Sequence, residues 1–186
     1  MKTPIADFVR RYQESGMARF HMPGHKGAGF LGCEGFDITE VSGADELYES
    51  GGIIAESEEN AAALFGAGRT CYSTEGSSQC IRAMLRLSML RRPDGVILAA
   101  RNVHKAFVYG AALLVLEVRW LWPEETGSLC SCRISPERLE AALAELPAPP
   151  AAVYVTSPDY LGGMADVRGL AEVCHRHDTL LLVDNA

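Results

Sequence analysis

From Arg69 onward, short uninterrupted apolar runs alternate with stretches of helical periodicity, and this rhythm constrains the fold more than any other feature of the chain. Val96-Ile97-Leu98 and Leu180-Leu181-Leu182-Val183 show no polar alternation. Strands of that kind have both faces covered, as in a parallel sheet layered between helices. The pattern predicts strands over 70–74, 95–100, 116–122, 152–156 and 179–184, with helices over 77–90, 104–113, 136–146 and 167–177. In the first of these helices Ile81, Met84, Leu85 and Ser88 recur at helical spacing. The third opens with Ser135 as cap and Pro136 in the first turn, the preferred order at a helix start. The fold class is α/β, a layered α-β-α arrangement around a mostly parallel sheet.

The first 68 residues follow a different rule. Residues 1–15 read as an amphipathic helix ending at Gly16, with Ile5, Phe8, Val9 and Tyr12 on one face. Arg19-Phe20-His21-Met22-Pro23-Gly24-His25-Lys26-Gly27 follows, and its Pro-Gly pair forbids regular structure. The irregular region continues through 37–40 and 43–47 until Gly51-Gly52, and a helix is expected over 53–65. So long an irregular stretch usually lines a site or embraces a partner. The chain therefore divides into an N-terminal helix and irregular arm, 1–52, and a large domain, 53–186.

Charge and composition narrow the function classes. With 17 basic and 24 acidic residues the net charge is -7, which argues against a nucleic-acid surface and favours small molecules or protein partners. The longest apolar run, 111–116, is far too short to span a membrane, and the N-terminus lacks a secretory pattern, so a cytoplasmic location is expected. The six cysteines read as reduced thiols rather than a disulfide framework. Cys130 and Cys132 form a Cys-x-Cys, and Cys174, His175 and His177 a Cys-His-x-His. No second ligand pair has metal-site spacing, and Cys174 falls with Leu170 and Val173 on an apolar helix face, so no metal is expected.

Ligands of layered parallel sheets bind at the carboxyl ends of the strands. Those positions hold Gly76, Ser77 and Ser78; then Arg101, Asn102, His104 and Lys105; then Ser157, Pro158, Asp159 and Tyr160; and finally Asp184, Asn185 and Ala186. Each group also has a structural reading: Gly76-Ser77-Ser78, Asn102 and Asp184 as helix caps, and His104 as a packed first-turn residue. A phosphate-type turn, an imidazole and a strand-terminal carboxylate on one edge together suggest a site. A Gly turn entering a helix suits phosphate, because the first backbone N–H groups lack partners and the dipole is positive there. Neither a Walker loop nor a Gly-x-Gly-x-x-Gly is present, which counts against nucleoside triphosphates and dinucleotides.

Successive motifs of the chain resemble those of the ornithine/lysine/arginine decarboxylases. They are His21-Met22-Pro23-Gly24-His25-Lys26-Gly27, Asp37-Ile38-Thr39-Glu40, Ile54-Ala55-Glu56, Leu64-Phe65-Gly66-Ala67, Gly76-Ser77-Ser78, Arg101-Asn102-Val103-His104-Lys105, Thr156-Ser157-Pro158 with Tyr160, and Val183-Asp184-Asn185-Ala186. The match is collinear from Arg19 onward. The resemblance implies a pyridoxal 5'-phosphate enzyme of the aspartate-aminotransferase fold, here a partial major domain, acting on an amino-acid substrate as a homodimer or higher homo-oligomer. It further implies that Gly76, Ser77 and Ser78 hold the phosphate. His104 would stack on one face of the cofactor ring, with Ala186 against the other. Asp184 would pair with the ring nitrogen, and Ser157 and Tyr160 would stand in the site wall.

Two departures qualify that resemblance. The family's Schiff-base lysine lies downstream of the Asp-x-Ala segment, and the lysines here, Lys2, Lys26 and Lys105, match none of that motif. The chain therefore reads as the N-terminal part of such an enzyme, without turnover of its own. Asp45-Glu46-Leu47-Tyr48-Glu49 stands where better-known members carry histidines, which leaves an aminotransferase-like relative or another amino-acid substrate open. A non-catalytic binding or assembly module of the same fold, and a generic α/β nucleotide binder, are the competing readings.

Overall fold

Thr3 and Pro4 open the first helix, α1 (Pro4–Glu14), where proline sits in the first turn and needs no N–H partner. The computed structural model describes residues 2–124 and 127–185. It divides into two compact units, Met1–Tyr72 and Ser73–Ala186. In the first unit Tyr12 of α1 is buried, its hydroxyl lies 2.7 Å from His21 Nε2, and the Arg19 guanidinium sits 5.0 Å from its ring centre. Arg19 Nη2 also donates to the Gly35 carbonyl at 2.7 Å. These contacts order a segment with little regular structure beyond a single 3₁₀ turn at Glu34–Phe36.

The second helix, α2 (Ile53–Phe65), has the bounds that the periodicity predicts and ends at Gly66 in the left-handed region, φ 64°. Its start is held from a distance. The Asp45 carboxylate accepts the backbone N–H groups of Gly51 (3.1 Å), Gly52 (2.9 Å) and Ile54 (2.9 Å).

The strand expected over 70–74 does not form. Tyr72 donates its backbone N–H, a group that a ladder would need, to Glu58 Oε1 at 2.7 Å, and its hydroxyl meets Ser57 Oγ at 2.8 Å, so side chains of α2 hold this residue instead. A strand exists only with a neighbour, and among the described residues this segment pairs with none.

In the second unit four strands, β1 (Ile97–Ala100), β2 (Val118–Leu121), β3 (Ala152–Thr156) and β4 (Leu180–Asp184), pair in parallel in the order β2-β1-β3-β4. The helices are α3 (Gly76–Arg91), α4 (Lys105–Leu113), α5 (Pro136–Ala144) and α6 (Val167–Arg176). Period-two alternation sorts each strand between two cores. Ile97, Ala99, Ala152, Tyr154 and Leu182 pack with Ile81 and Leu85 of α3 and Phe107 of α4. Leu98, Ala100, Val153 and Val155 face the other way, against Leu139 and Leu143 of α5 and Leu170 and Val173 of α6.

The handedness of crossovers explains this division. The chain moves from β1 outward to β2 through α4, then back past β1 to β3 and on to β4 through α5 and α6. Right-handed connections in opposite directions put their helices on opposite faces. The direction reverses between β1 and β3, and a crevice opens at the carboxyl ends of strands around such a reversal.

Cys174 is fully buried in the α6 core, while His177, which closes that helix, lies 2.5 Å from Glu140 Oε1 through its Nε2. Among the described residues no cluster of His, Cys, Asp and Glu is arranged to hold a metal ion. Among the same residues no helix is long and apolar enough to cross a membrane.

Candidate functional site

Strand parity determines which side chains can meet. Asp184 shares the parity of Leu182 and so points to the face covered by α3 and α4. In the β3–β4 register Thr156 stands opposite Asp184, and Tyr154 opposite Leu182. The helix starts of that face, Ser77 of α3 and His104 before α4, join the loop after β3 around a cleft of about 220 Å³. It is lined by Ser77, His104, Thr156, Pro158, Asp159, Tyr160 and Asp184.

Asp184 is only 5% exposed, and its Oδ2 accepts the Tyr154 hydroxyl at 2.9 Å. No hydrogen bond reaches Oδ1 from the described residues, which leaves that oxygen as the acceptor available to a ligand. Burial, then the neighbouring Asp184 charge, pushes the Tyr154 phenol far above the ordinary tyrosine range, so it stays a donor. A buried carboxylate is costly unless hydrogen-bonded, and this donor offsets part of that cost.

His104 caps α4. Its Nδ1 accepts the Ala106 N–H at 3.2 Å, which sets the ring's orientation at the cleft wall. Asn102 does not take that cap: it is 5% exposed, and neither polar atom of its side chain has a partner among the described residues. Lys105, the first residue of α4, is exposed and does not line the cleft.

Gly76 opens α3 at φ 66°, a left-handed conformation that glycine adopts without penalty. No side chain caps this helix, so its first N–H groups remain available. The turn is shaped from behind by Ser73, whose Oγ donates to Gln79 Oε1 at 2.6 Å and accepts the Glu75 N–H at 3.2 Å. Ser77 reaches the cleft; Ser78 is half-buried and outside its lining.

Ser157 is 2% exposed, and its hydroxyl accepts the Ala165 N–H at 3.0 Å, so it braces the loop instead of entering the cleft. Asp159 holds the same loop: Oδ1 accepts the N–H groups of Leu161 (2.9 Å) and Gly163 (2.7 Å), and Oδ2 the Ser131 hydroxyl at 2.5 Å. Tyr160, 63% exposed, is thereby presented at the cleft mouth. Ala186 lies outside the described residues.

Of the residues singled out in the sequence, then, Ser77, His104, Pro158, Asp159, Tyr160 and Asp184 come together, with Gly76 at the turn behind Ser77. Sequence reading missed Tyr154 and, although it quoted Thr156 within a motif, gave that residue no part in the site. Tyr154 was detectable in principle, because a hydroxyl inside an apolar strand requires a partner. Thr156 Oγ1 is buried without a partner among the described residues, at the edge of the cleft.

A doubly covered parallel sheet with a capped imidazole, an open helix start and a buried carboxylate at its strand ends defines an α/β domain of the aminotransferase-like class. The chain belongs to the Orn/Lys/Arg decarboxylase family, whose major domain it matches over residues 3–186. That family consists of pyridoxal-phosphate-dependent decarboxylases. Arginine decarboxylase of Halalkalibacterium halodurans is 33% identical over 196 residues, which cover 100% of this chain and 39% of that protein. Arginine decarboxylase of Bacillus subtilis is 32% identical over 200 residues, again 100% of this chain and 39% of the relative. The chain thus spans about two fifths of the length of these relatives. Among solved structures, the constitutive lysine decarboxylase of E. coli shares the fold with a TM-score of 0.64 at 22% identity, over 86% of this chain and 25% of that one.

Proposed function

We propose that this chain forms the cofactor cleft of a pyridoxal-phosphate-dependent decarboxylase acting on a basic amino acid. Arginine is the first substrate to test, ahead of lysine and ornithine, because both curated relatives described above carry that name. One observation carries the reading. Asp184 is a buried carboxylate with one oxygen taken by Tyr154 and the other left for a ligand, in a cleft shared with Ser77 and His104.

The cleft fits the cofactor in its donor set. The open N–H groups at Gly76, Ser77 and Ser78 suit a phosphate. Thr156 Oγ1, buried and unpartnered among the described residues, offers a polar contact to a ligand. His104 would flank one face of the ring and Ala186 the other, with Ser157 supporting the wall. When bound, the cofactor would supply a protonated pyridine that accepts the electron pair released as the substrate Cα–carboxylate bond breaks. Asp184 would hold the proton at the ring nitrogen, and Tyr160 would help exclude water at the cleft mouth. The proposed organisation is an arm over 1–52 and a cofactor domain over 53–186, working as a cytoplasmic homo-oligomer.

Titrating the protein with pyridoxal phosphate, followed by absorbance and equilibrium dialysis, tests the reading. Saturable binding that Asp184→Ala weakens is expected. Absence of saturable binding, or binding indifferent to that change, would refute it. Release of carbon dioxide from arginine, lysine and ornithine by the whole gene product then ranks the substrates.

A second reading is a binding or assembly module of the same fold that holds the cofactor without a covalent link. Lys2, Lys26 and Lys105 are the only lysines of the chain, and none lines the cleft. Borohydride reduction of the whole gene product distinguishes the two, since a cofactor trapped on any of its lysines would end the second reading.

A further inference from the structure

We propose that Tyr154 is the positioning residue of this cleft: through its hydroxyl it orients Asp184, so that Oδ1 alone is offered to the proton-bearing atom of the ligand. The inference rests on the cofactor reading above and extends it to a residue behind the cleft wall.

Tyr154 is fully buried, and a phenylalanine would fill the same core without burying a hydroxyl. Its hydroxyl donates to Asp184 Oδ2 at 2.9 Å, across a strand pair in which Tyr154 stands two positions behind the residue facing Asp184. Side chains of one parity lean along the strand on one face, so the phenol reaches forward to a carboxylate at the strand end. Rotation of Asp184 about its side-chain bonds would break that hydrogen bond and leave the buried Tyr154 hydroxyl without its partner.

The same ring is packed on Phe107, with centroids 4.4 Å apart and planes inclined by 46°. Phe107 lies in the first turn of α4, and its N–H donates to the His104 carbonyl at 2.9 Å. One aromatic pair therefore supports both the helix start that carries His104 and the carboxylate across the cleft. Tyr154 touches no cleft space itself and acts through Asp184.

The test compares two ligands of one shape: pyridoxal phosphate and its deaza analogue, in which a C–H replaces the ring nitrogen. Tyr154→Phe keeps the packing on Phe107 and removes only the hydroxyl. Its affinity for pyridoxal phosphate should fall about tenfold, as expected for losing a hydrogen bond to a charged group. Its affinity for the deaza analogue should stay within about twofold. In an Asp184→Asn background, the Tyr154→Phe change should have no further selective effect on pyridoxal phosphate.

Equal weakening of both ligands, or weakening of neither, would overturn the proposal and leave Tyr154 as core packing. An unsubstituted protein that binds the two ligands equally would refute the pairing of Asp184 with the ring nitrogen, and the positioning role with it. If Tyr154→Phe fails to fold, Tyr154→Trp with a buried N–H donor provides the second variant, and retention of the ligand preference supports the proposal. Loss of preference in that folded variant, with both ligands bound alike, counts against it.

Discussion

Ser131 donates its hydroxyl to Asp159 Oδ2 at 2.5 Å, tying the segment before α5 to the loop that presents Tyr160. Asp159 accepts two backbone N–H groups of its own loop at the same time, from Leu161 and Gly163. The Ser131 hydroxyl, followed by the Gly163 N–H, lowers the Asp159 carboxyl below its ordinary value against a smaller desolvation effect. A carboxyl lowered on folding stabilises above its unfolded pKa, and that contribution disappears as pH falls through the folded value. Asp159→Ala should therefore speed hydrogen exchange at Leu161 and Gly163 about tenfold at neutral pH. The difference from the unsubstituted protein should shrink below about pH 4. Identical exchange rates in both proteins would show that the carboxylate does not hold the loop.

Asp45 plays a comparable part in the first unit. Desolvation opposes its ionisation, yet the N–H groups of Gly51, Gly52, Glu46 and Ile54 outweigh it and bring the carboxyl down to about 2. Its support of α2 is thus full above the ordinary carboxylate value, about 4, and fades as pH drops toward 2. Asp45→Ala should accelerate exchange at Gly52 and Ile54 and abolish the acid sensitivity of that helix start. Unaltered exchange in the variant would assign the cap to other groups.

Gly110 packs α4 tightly against α3. A Cβ there would meet Leu85 Cδ1 at 3.1 Å and Arg82 Cγ at 3.3 Å. Leu85 is fully buried and has little room to move, so Gly110→Val should destabilise the second unit by about 1–3 kcal/mol. Denaturant unfolding measures this. A neutral or stabilising effect would mean that the helices separate without loss of packing.

Thiol reactivity reports the second core. Cys174 is fully buried, and desolvation raises its thiol to about 11; burial also raises Cys132, against the N–H groups of Arg101 and Asn102. Iodoacetamide at pH 8 should alkylate exposed Cys33, Cys71, Cys80 and Cys130 first, with Cys174 modified only after denaturation. Mass spectrometry of the peptides decides the order. Early labelling of Cys174 would show that α6 opens readily in the native protein.

The sequence by itself determined the elements whose stability is mostly local or face-wise. Ile81, Leu85 and Ser88 recur at helical spacing, and all three are buried on one side of α3. Ser135 accepts the Arg138 N–H at 3.1 Å, the cap that its place before Pro136 announces. The apolar runs at 96–98 and 180–183 supply strands of a doubly covered parallel sheet. In each case, residues close together in the chain carry the pattern.

Only the tertiary structure decided what depends on neighbours distant in sequence. Residues 70–74 have the composition of a strand, but no adjacent edge receives them, and α2 side chains bind Tyr72 instead. Gly76, Ser77, His104 and Asp184 were each identifiable in the sequence, yet Ser157, beside them in the same motifs, turns to the Ala165 amide. Strand order and register settled these outcomes. They set Thr156 opposite Asp184 and brought the Tyr154 hydroxyl to a carboxylate 30 residues away. Side-chain pairing across a sheet is a property of register, and periodicity along one strand carries no record of its partner.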